Sequence, residues 1–144
     1  PSTITRLQNM GTPDYLISAA CQLVLAQRLA RRSCKDCRVP DDDVTPKVLQ
    51  DLGFSPEQAS RVKALKGKGC AKCKDSGYKG RQGIYEILVV SKPVKEAILR
   101  KATTPELRQI AIKEGFQTMQ DMGRRLIANG ELNFREYERV LASE

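Results

Sequence analysis

The chain has 144 residues, a formal charge of +8 from 25 basic and 17 acidic side chains, and no histidine. Without histidine there is no Ser-His-Asp or Cys-His apparatus, no HExxH metalloprotease helix and no His-ligated zinc deaminase centre, so sulfur must hold any bound metal. At 40% apolar and 5% aromatic, with no tryptophan, the composition suits one domain or two small ones rather than one large core.

The Lys/Arg excess gathers at Arg28–Arg38 and Lys63–Arg81, where only Asp36 and Asp75 interrupt it. Both clusters adjoin cysteines, so the cations are expected to offset a dianionic metal-thiolate centre. A nucleic-acid groove wants aromatics beside its basic residues, and Tyr78 is the only candidate in either cluster. The longest apolar run, Tyr15–Ala26, is shorter than the ~20 residues of a membrane span and lacks the flanks of a signal peptide. The opening Pro1-Ser2-Thr3 reads as part of something longer, of cytosolic origin, where thiols stay reduced.

In chain order, helices are expected near 13–32, 45–52, 56–65, 92–101, 105–114, 118–129 and 133–142. Thr12-Pro13-Asp14, Thr45-Pro46, Ser55-Pro56-Glu57-Gln58 and Thr104-Pro105-Glu106 each place a hydroxyl at the N-cap and proline at the first helical position. Ser55…Gln58 and Asn133…Glu136 also have capping-box spacing. Apolar stripes recur at Val94/Ile98, Leu107/Ile110/Ala111, Met119/Met122/Leu126 and Phe134/Tyr137/Leu141. Gly53, Gly115 and Gly130 stand where helices end. Cys21, inside the first helix, reads as a small buried hydrophobe. Asp41-Asp42-Asp43 reads as a solvated turn, without the ligand spacing of a calcium loop.

One stretch differs. Gly83-Ile84-Tyr85-Glu86-Ile87-Leu88-Val89-Val90 is β-branched and glycine- and proline-bounded, the pattern of a buried strand. A lone strand is unstable, so its sheet partners are expected upstream of Pro1, with a short hairpin added at the cysteines. Glu86 within this run is expected to pair with an arginine such as Arg81, or the strand to be less buried than its composition implies.

Four of the five cysteines form Cys34-x2-Cys37…Cys70-x2-Cys73, with 32 residues between the pairs. Two residues between thiolates let a tight turn aim both sulfurs at one ion, and two facing knuckles close a tetrahedral site. Gly69, Gly77 and Gly80 supply the backbone freedom. Stretching the interval from a ribbon's ~18 residues to about 32 costs roughly 0.5 kcal/mol of loop entropy, against the ~10 kcal/mol or more of structural zinc. Disulfides suit the compartment poorly, and a thioredoxin-type pair explains one CxxC but not two. Structural Zn2+ on Cys34, Cys37, Cys70 and Cys73 is the expectation, with a rubredoxin-like iron site sharing the geometry.

Ala26-Gln27-Arg28-Leu29-Ala30-Arg31 before the first pair, and Gly69-Cys70-Ala71-Lys72-Cys73-Lys74-Asp75-Ser76-Gly77-Tyr78-Lys79-Gly80-Arg81-Gln82-Gly83-Ile84-Tyr85-Glu86-Ile87-Leu88 around the second, resemble the secretion ATPase superfamily. Within it they are most similar to the type II secretion and type IV pilus assembly (extension) motors of the tetracysteine type. Thr3-Ile4-Thr5-Arg6-Leu7…Met10-Gly11 resembles the stretch after that family's histidine box. Glu114-Gly115-Phe116-Gln117-Thr118-Met119 resembles the tail shared with pilus retraction ATPases.

The resemblance implies an α+β, mainly helical fragment of a RecA-like motor domain, with an inserted tetracysteine zinc module and a C-terminal helical bundle. Its expected parts are a helical segment from the end of the RecA-like core (1–33), the zinc module (34–80), a core strand (81–91) and a C-terminal helical subdomain (92–144). No GxxxxGK[ST] phosphate loop occurs in the chain, and the family's acidic boxes would lie upstream. The chain is therefore expected to be non-catalytic, with ATP and Mg2+ bound only by a hexameric parent. Implied partners are the chain's own ATPase core, neighbouring subunits and an inner-membrane platform protein, on the cytoplasmic side of that membrane. Arg28, Arg31 and Arg81 are candidates for nucleotide sensing or a subunit interface. The rival class is a zinc-ribbon module that binds nucleic acid.

Overall fold

A computed structural model of the chain describes residues 1–141. The contacts divide into two units, Pro1–Ala26 with Tyr85–Thr118, and Gln27–Ile84 with Met119–Glu144, of which 142–144 lie outside the described residues.

The first unit holds helices α1 (Ser2–Asn9), α2 (Asp14–Ala20), α5 (Lys92–Leu99) and α6 (Thr104–Lys113), with the start of strand β1 (Leu23–Ser33) and the end of strand β4 (Tyr78–Val89). Its core gathers the apolar faces of all four helices: Ile4, Ile17, Val94, Ala97, Ile98, Leu107 and Ala111, closed by Leu88 and Val90. Cys21 packs half-buried against this cluster, as a small hydrophobe does. It sits just beyond α2 rather than within a helix. The last expected cap lies one residue earlier: Thr103 and Glu106 form the capping box of α6.

The second unit carries the remainder of β1 and β4, a small ladder of β2 (Arg38–Pro40) and β3 (Leu65–Gly67), and helices α3 (Pro46–Asp51), α4 (Pro56–Arg61), α7 (Met119–Ala128) and α8 (Phe134–Leu141). β2 and β3 run antiparallel with Arg38 opposite Gly67, Val39 opposite Lys66 and Pro40 opposite Leu65. Thr45 caps α3 and Ser55 closes a full capping box on α4, as their spacing predicts. α7 and α8 meet at Gly123, where a Cβ would lie 2.6 Å from Leu141 and 2.7 Å from Tyr137. The expected helix over 133–142 is observed to Leu141, and Ala142 falls outside the described residues.

Five expectations are corrected. The helix over 13–32 ends at Ala20, and Leu23–Ser33 is a strand. Its Leu, Ala, Gln and Arg residues are good helix formers. Yet Val24, Ala26, Arg28 and Ala30 turn inward while Leu23, Leu25, Gln27, Leu29 and Arg31 face out, a two-residue period that only a strand satisfies. β4 pairs with β1, so its partner lies within the chain rather than upstream. The bonds from Val90 N–H to Gln22 O (2.8 Å) and from Cys34 N–H to Gly77 O (2.9 Å) make the pairing antiparallel. β4 is also not buried throughout: Ile84 and Leu88 are inside, Tyr85, Ile87 and Val89 are exposed, and Glu86 is half-buried. Finally, Asp41 is not solvated. It is 9% exposed, and its side chain receives the Lys66 ammonium at 2.7 Å. The helix expected over 56–65 likewise stops at Arg61, because Leu65–Gly67 is taken into the ladder.

Candidate metal centre

Each Cys-x2-Cys pair is a single 3₁₀ turn at the end of a strand. Cys34 follows β1 and opens the turn Lys35–Cys37, which feeds β2; Cys70 opens the turn Ala71–Cys73, which leads into β4. The β2–β3 ladder brings the turns side by side, and Lys68 N–H extends it with a 3.0 Å bond to Cys37 O. Close approach sets the glycines. A Cβ on Gly67 would stand 2.1 Å from Gly77 O, and one on Gly77 2.4 Å from Gly67 O. Gly77 has φ +75°, and Lys74 and Asp75 before it are also left-handed, at φ 52° and 58°. This curl is what folds the second knuckle over its own sulfurs.

The four sulfurs of Cys34, Cys37, Cys70 and Cys73 lie within 4.8 Å of one another. Sγ–Sγ separations are 3.9 Å for Cys34–Cys70, 3.9 Å for Cys37–Cys73 and 3.7 Å for Cys70–Cys73. The edge of a tetrahedron with metal–sulfur bonds of ~2.3 Å is about 3.8 Å, so the donor set fits one four-coordinate ion. None of the cysteines is disulfide-bonded, and separations near 3.8 Å are far beyond a covalent sulfur–sulfur bond of ~2.05 Å. Cys34, Cys37 and Cys73 are buried and Cys70 is half-buried.

The surroundings favour thiolate on one side of the cluster. Burial works to raise the Cys73 pKa, but N–H bonds to its sulfur from Cys70 (3.2 Å) and Gly77 (3.3 Å) outweigh it and bring the thiol down to about 7. Burial dominates at Cys37 and pushes that thiol up to about 12. A bound cation would deprotonate all four outright. Outside the sulfurs, the middle positions of the two turns meet: Asp36 accepts from Lys72 Nζ at 2.6 Å, which holds the Asp36 carboxyl below its ordinary value.

The three arginines singled out from the sequence do different things. Arg31 grips Glu136 with Nε at 3.0 Å and Nη2 at 2.8 Å, while its backbone N–H donates to the same carboxylate at 2.7 Å. Its guanidinium also lies 4.1 Å from the centroid of the Tyr78 ring. Arg28 donates to Val140 O, and Arg81 is exposed. Glu136 is fully buried and also receives Arg139. Burial opposes its ionisation, but the hydrogen bonds from Arg139 and Arg31 prevail and hold its carboxyl at about 2. The sequence offered only half of this: Asn133 does accept from Glu136 N–H at 2.8 Å as a cap, whereas the glutamate side chain turns away to the arginines. No local pattern signals that turn, because Arg31 is more than a hundred positions away.

Residues 1–139 match the family model described as type II/IV secretion system protein. The chain belongs to that family. It is 37% identical over 136 residues to the type IV pilus assembly ATPase PilB of Myxococcus xanthus, covering 94% of this chain and 24% of that protein. It is 41% identical over 123 residues to the PilB of Thermus thermophilus, covering 83% and 13% respectively. Type II secretion system protein HxcR of Pseudomonas aeruginosa is 32% identical over 139 residues, covering 96% and 25%. The chain thus spans a quarter or less of the length of these relatives, and both the pilus and the secretion branches of the family are represented among them. Among the described residues, no helix is long and apolar enough to cross a membrane.

Proposed function

We infer that the chain is a non-catalytic, C-terminal portion of a longer motor ATPase that assembles type IV pili or drives type II secretion, and that Cys34, Cys37, Cys70 and Cys73 hold one structural zinc ion. The observation that carries the reading is the four-sulfur cluster at tetrahedral spacing in a chain of this family. Zinc in an all-thiolate site supplies rigidity and charge but no open position for an activated water. The chain's own contribution is to aim four sulfurs, and N–H groups at Cys73, at one point.

In this reading residues 1–33 and 81–91 belong to the end of the RecA-like core, 34–80 are an inserted knob, and 92–144 are the helical subdomain that packs on its own or a neighbouring core in a hexamer. Leu23, Leu25, Tyr85, Ile87 and Val89 support a larger setting, since together they leave one face of the first unit's strand pair apolar and 40–61% exposed. Five lysines close to the cysteines of the knob, Lys35, Lys68, Lys72, Lys74 and Lys79, are exposed and suit contact with the inner-membrane platform on the cytoplasmic side. Arg28 and Arg31 are engaged within the chain, which leaves Arg81 as the arginine free in geometry for a nucleotide or a neighbouring subunit. The nucleic-acid reading gains nothing here, because its one aromatic, Tyr78, is occupied by Arg31 and Asn133.

Metal analysis of the purified chain tests the centre: about one zinc per chain is expected, and a metal-free, fully folded chain would refute it. An ATPase assay on the same sample is expected to read background, because the sequence has no phosphate loop. Clear turnover would overturn the assignment as a non-catalytic portion.

A further inference from the structure

Arg31, Arg32 and Ser33, the three residues that lead into the first cysteine, all bind the segment that begins α8. Arg31 takes the Glu136 carboxylate, Arg32 pairs with Glu131 at 2.6 Å, and Ser33 N–H donates to Glu131 O at 3.0 Å. Beyond the second cysteine pair, Tyr78 stacks on Arg31 and accepts from the Asn133 amide at 3.0 Å. Asn133 in turn caps α8 through Glu136 N–H. The Glu136 site is therefore complete only while the end of β1 and the start of β4 stand side by side.

The β1–β4 ladder lays those two ends side by side, and just past its outer residues, Ser33 and Tyr78, the cluster adds a further fastening. The turns touch through the β2–β3 ladder with its Lys68–Cys37 bond, the Cys34–Gly77 bond, the Asp36–Lys72 pair on the surface, and four sulfurs with no covalent link. We propose that metal occupancy of the four-sulfur centre fastens α8: the ion clamps Cys34 to Cys70 and Cys73, which keeps the outer end of the β1–β4 ladder closed and so holds Arg31 against Tyr78 in the socket for Glu136. The coupling rests on the metal reading given above. By linkage it runs both ways, so undocking α8 must weaken retention of the ion by the same factor that losing the ion weakens docking.

Hydrogen exchange on the full chain, zinc-loaded and after chelation, with zinc content measured on the same samples, tests the proposal. In the loaded chain the amides of Tyr137–Leu141 are protected. Chelation is expected to speed their exchange about tenfold or more, the equivalent of one charge-assisted hydrogen bond, while α5 and α6 in the other unit keep their protection. Loss of zinc with α8 exchange unchanged overturns the coupling, whereas a chain that never takes up zinc overturns the metal reading instead. A second arm approaches from the other end. Glu136→Gln, 63 residues or more from any sulfur ligand in sequence, is expected to surrender zinc to a colorimetric chelator several-fold faster than the parent chain. Tyr78→Phe, which keeps the ring under Arg31, is expected to move the rate in the same direction by less. Release at the parent rate from both variants refutes the coupling.

Discussion

Glu136 gives the sharpest quantitative expectation. Its carboxyl has no exposure to solvent, and it is held at about 2 instead of the ordinary 4.5 by Arg139, Arg31 and the Arg31 backbone N–H, against the opposing effect of burial. A depressed carboxyl contributes stability that is present above the unfolded-state pKa and is lost as the pH falls through the folded one. Taken whole, such a depression corresponds to about 3 kcal/mol at neutral pH. The two guanidinium groups are 50% and 54% exposed, so solvent screening reduces this to about 1–2 kcal/mol. Glu136→Gln removes the ionisable group while keeping its shape. Urea unfolding of both proteins, zinc-loaded and with zinc content followed at each pH, should show the variant less stable by that margin at pH 7. The gap should hold down to about pH 5 and close between there and pH 2. A gap that stays constant from pH 7 to pH 2.5 would mean that the carboxylate's charge contributes nothing and that the loss comes from packing alone.

Two further substitutions probe the separate units. Ile98→Ala empties a fully buried position in the α5 face of the first unit and should cost about 2–5 kcal/mol of unfolding free energy, while zinc content stays at the parent level; an equal loss of zinc would show that the centre depends on this core. Gly67→Ala places a methyl 2.1 Å from Gly77 O, which backbone cannot yield without separating β3 from the second knuckle, so zinc retention should fall even though no sulfur is touched. Retention equal to that of the parent chain, measured by competition with a chelator, would contradict the close-packed glycine pair.

The centre was legible because its information is local. Cys-x2-Cys states the turn, the glycines state the curl, and Ser55 to Gln58 states a helix start, each within a few residues. What misled was Leu23–Ser33, where helix-forming side chains and an apolar run from Tyr15 onward favour a helix. The strand exists because β4, some 45–66 positions later, offers a partner, and pairing of that range leaves no mark in a window of a dozen residues. The alternation of burial along β1 has no counterpart in residue type, because Leu23, Leu25 and Leu29 lie on the exposed face while Arg28 occupies an inward position. It is admitted there because its guanidinium reaches Val140 O. Glu136 was hidden for the same reason: a polar residue on the inner face of a helix reads as a cap until its distant partner, Arg31, is known.

The second unit also indicates why a metal belongs in it. Between the two cysteine pairs, its buried apolar side chains are Val44, Leu49, Phe54, Ala59 and Ala64, two of them alanines, too few to order a segment of 32 residues against its conformational entropy of about 1–2 kcal/mol per residue. The capped helices α3 and α4 supply local order, and Arg124 ties them to α7 by donating to Leu52 O at 3.0 Å. Neither device joins the two knuckles. Beyond the β2–β3 ladder, a four-coordinate ion would do so at one point, and loop entropy grows only logarithmically with length, so the helices between the cysteine pairs add little to the cost of closure.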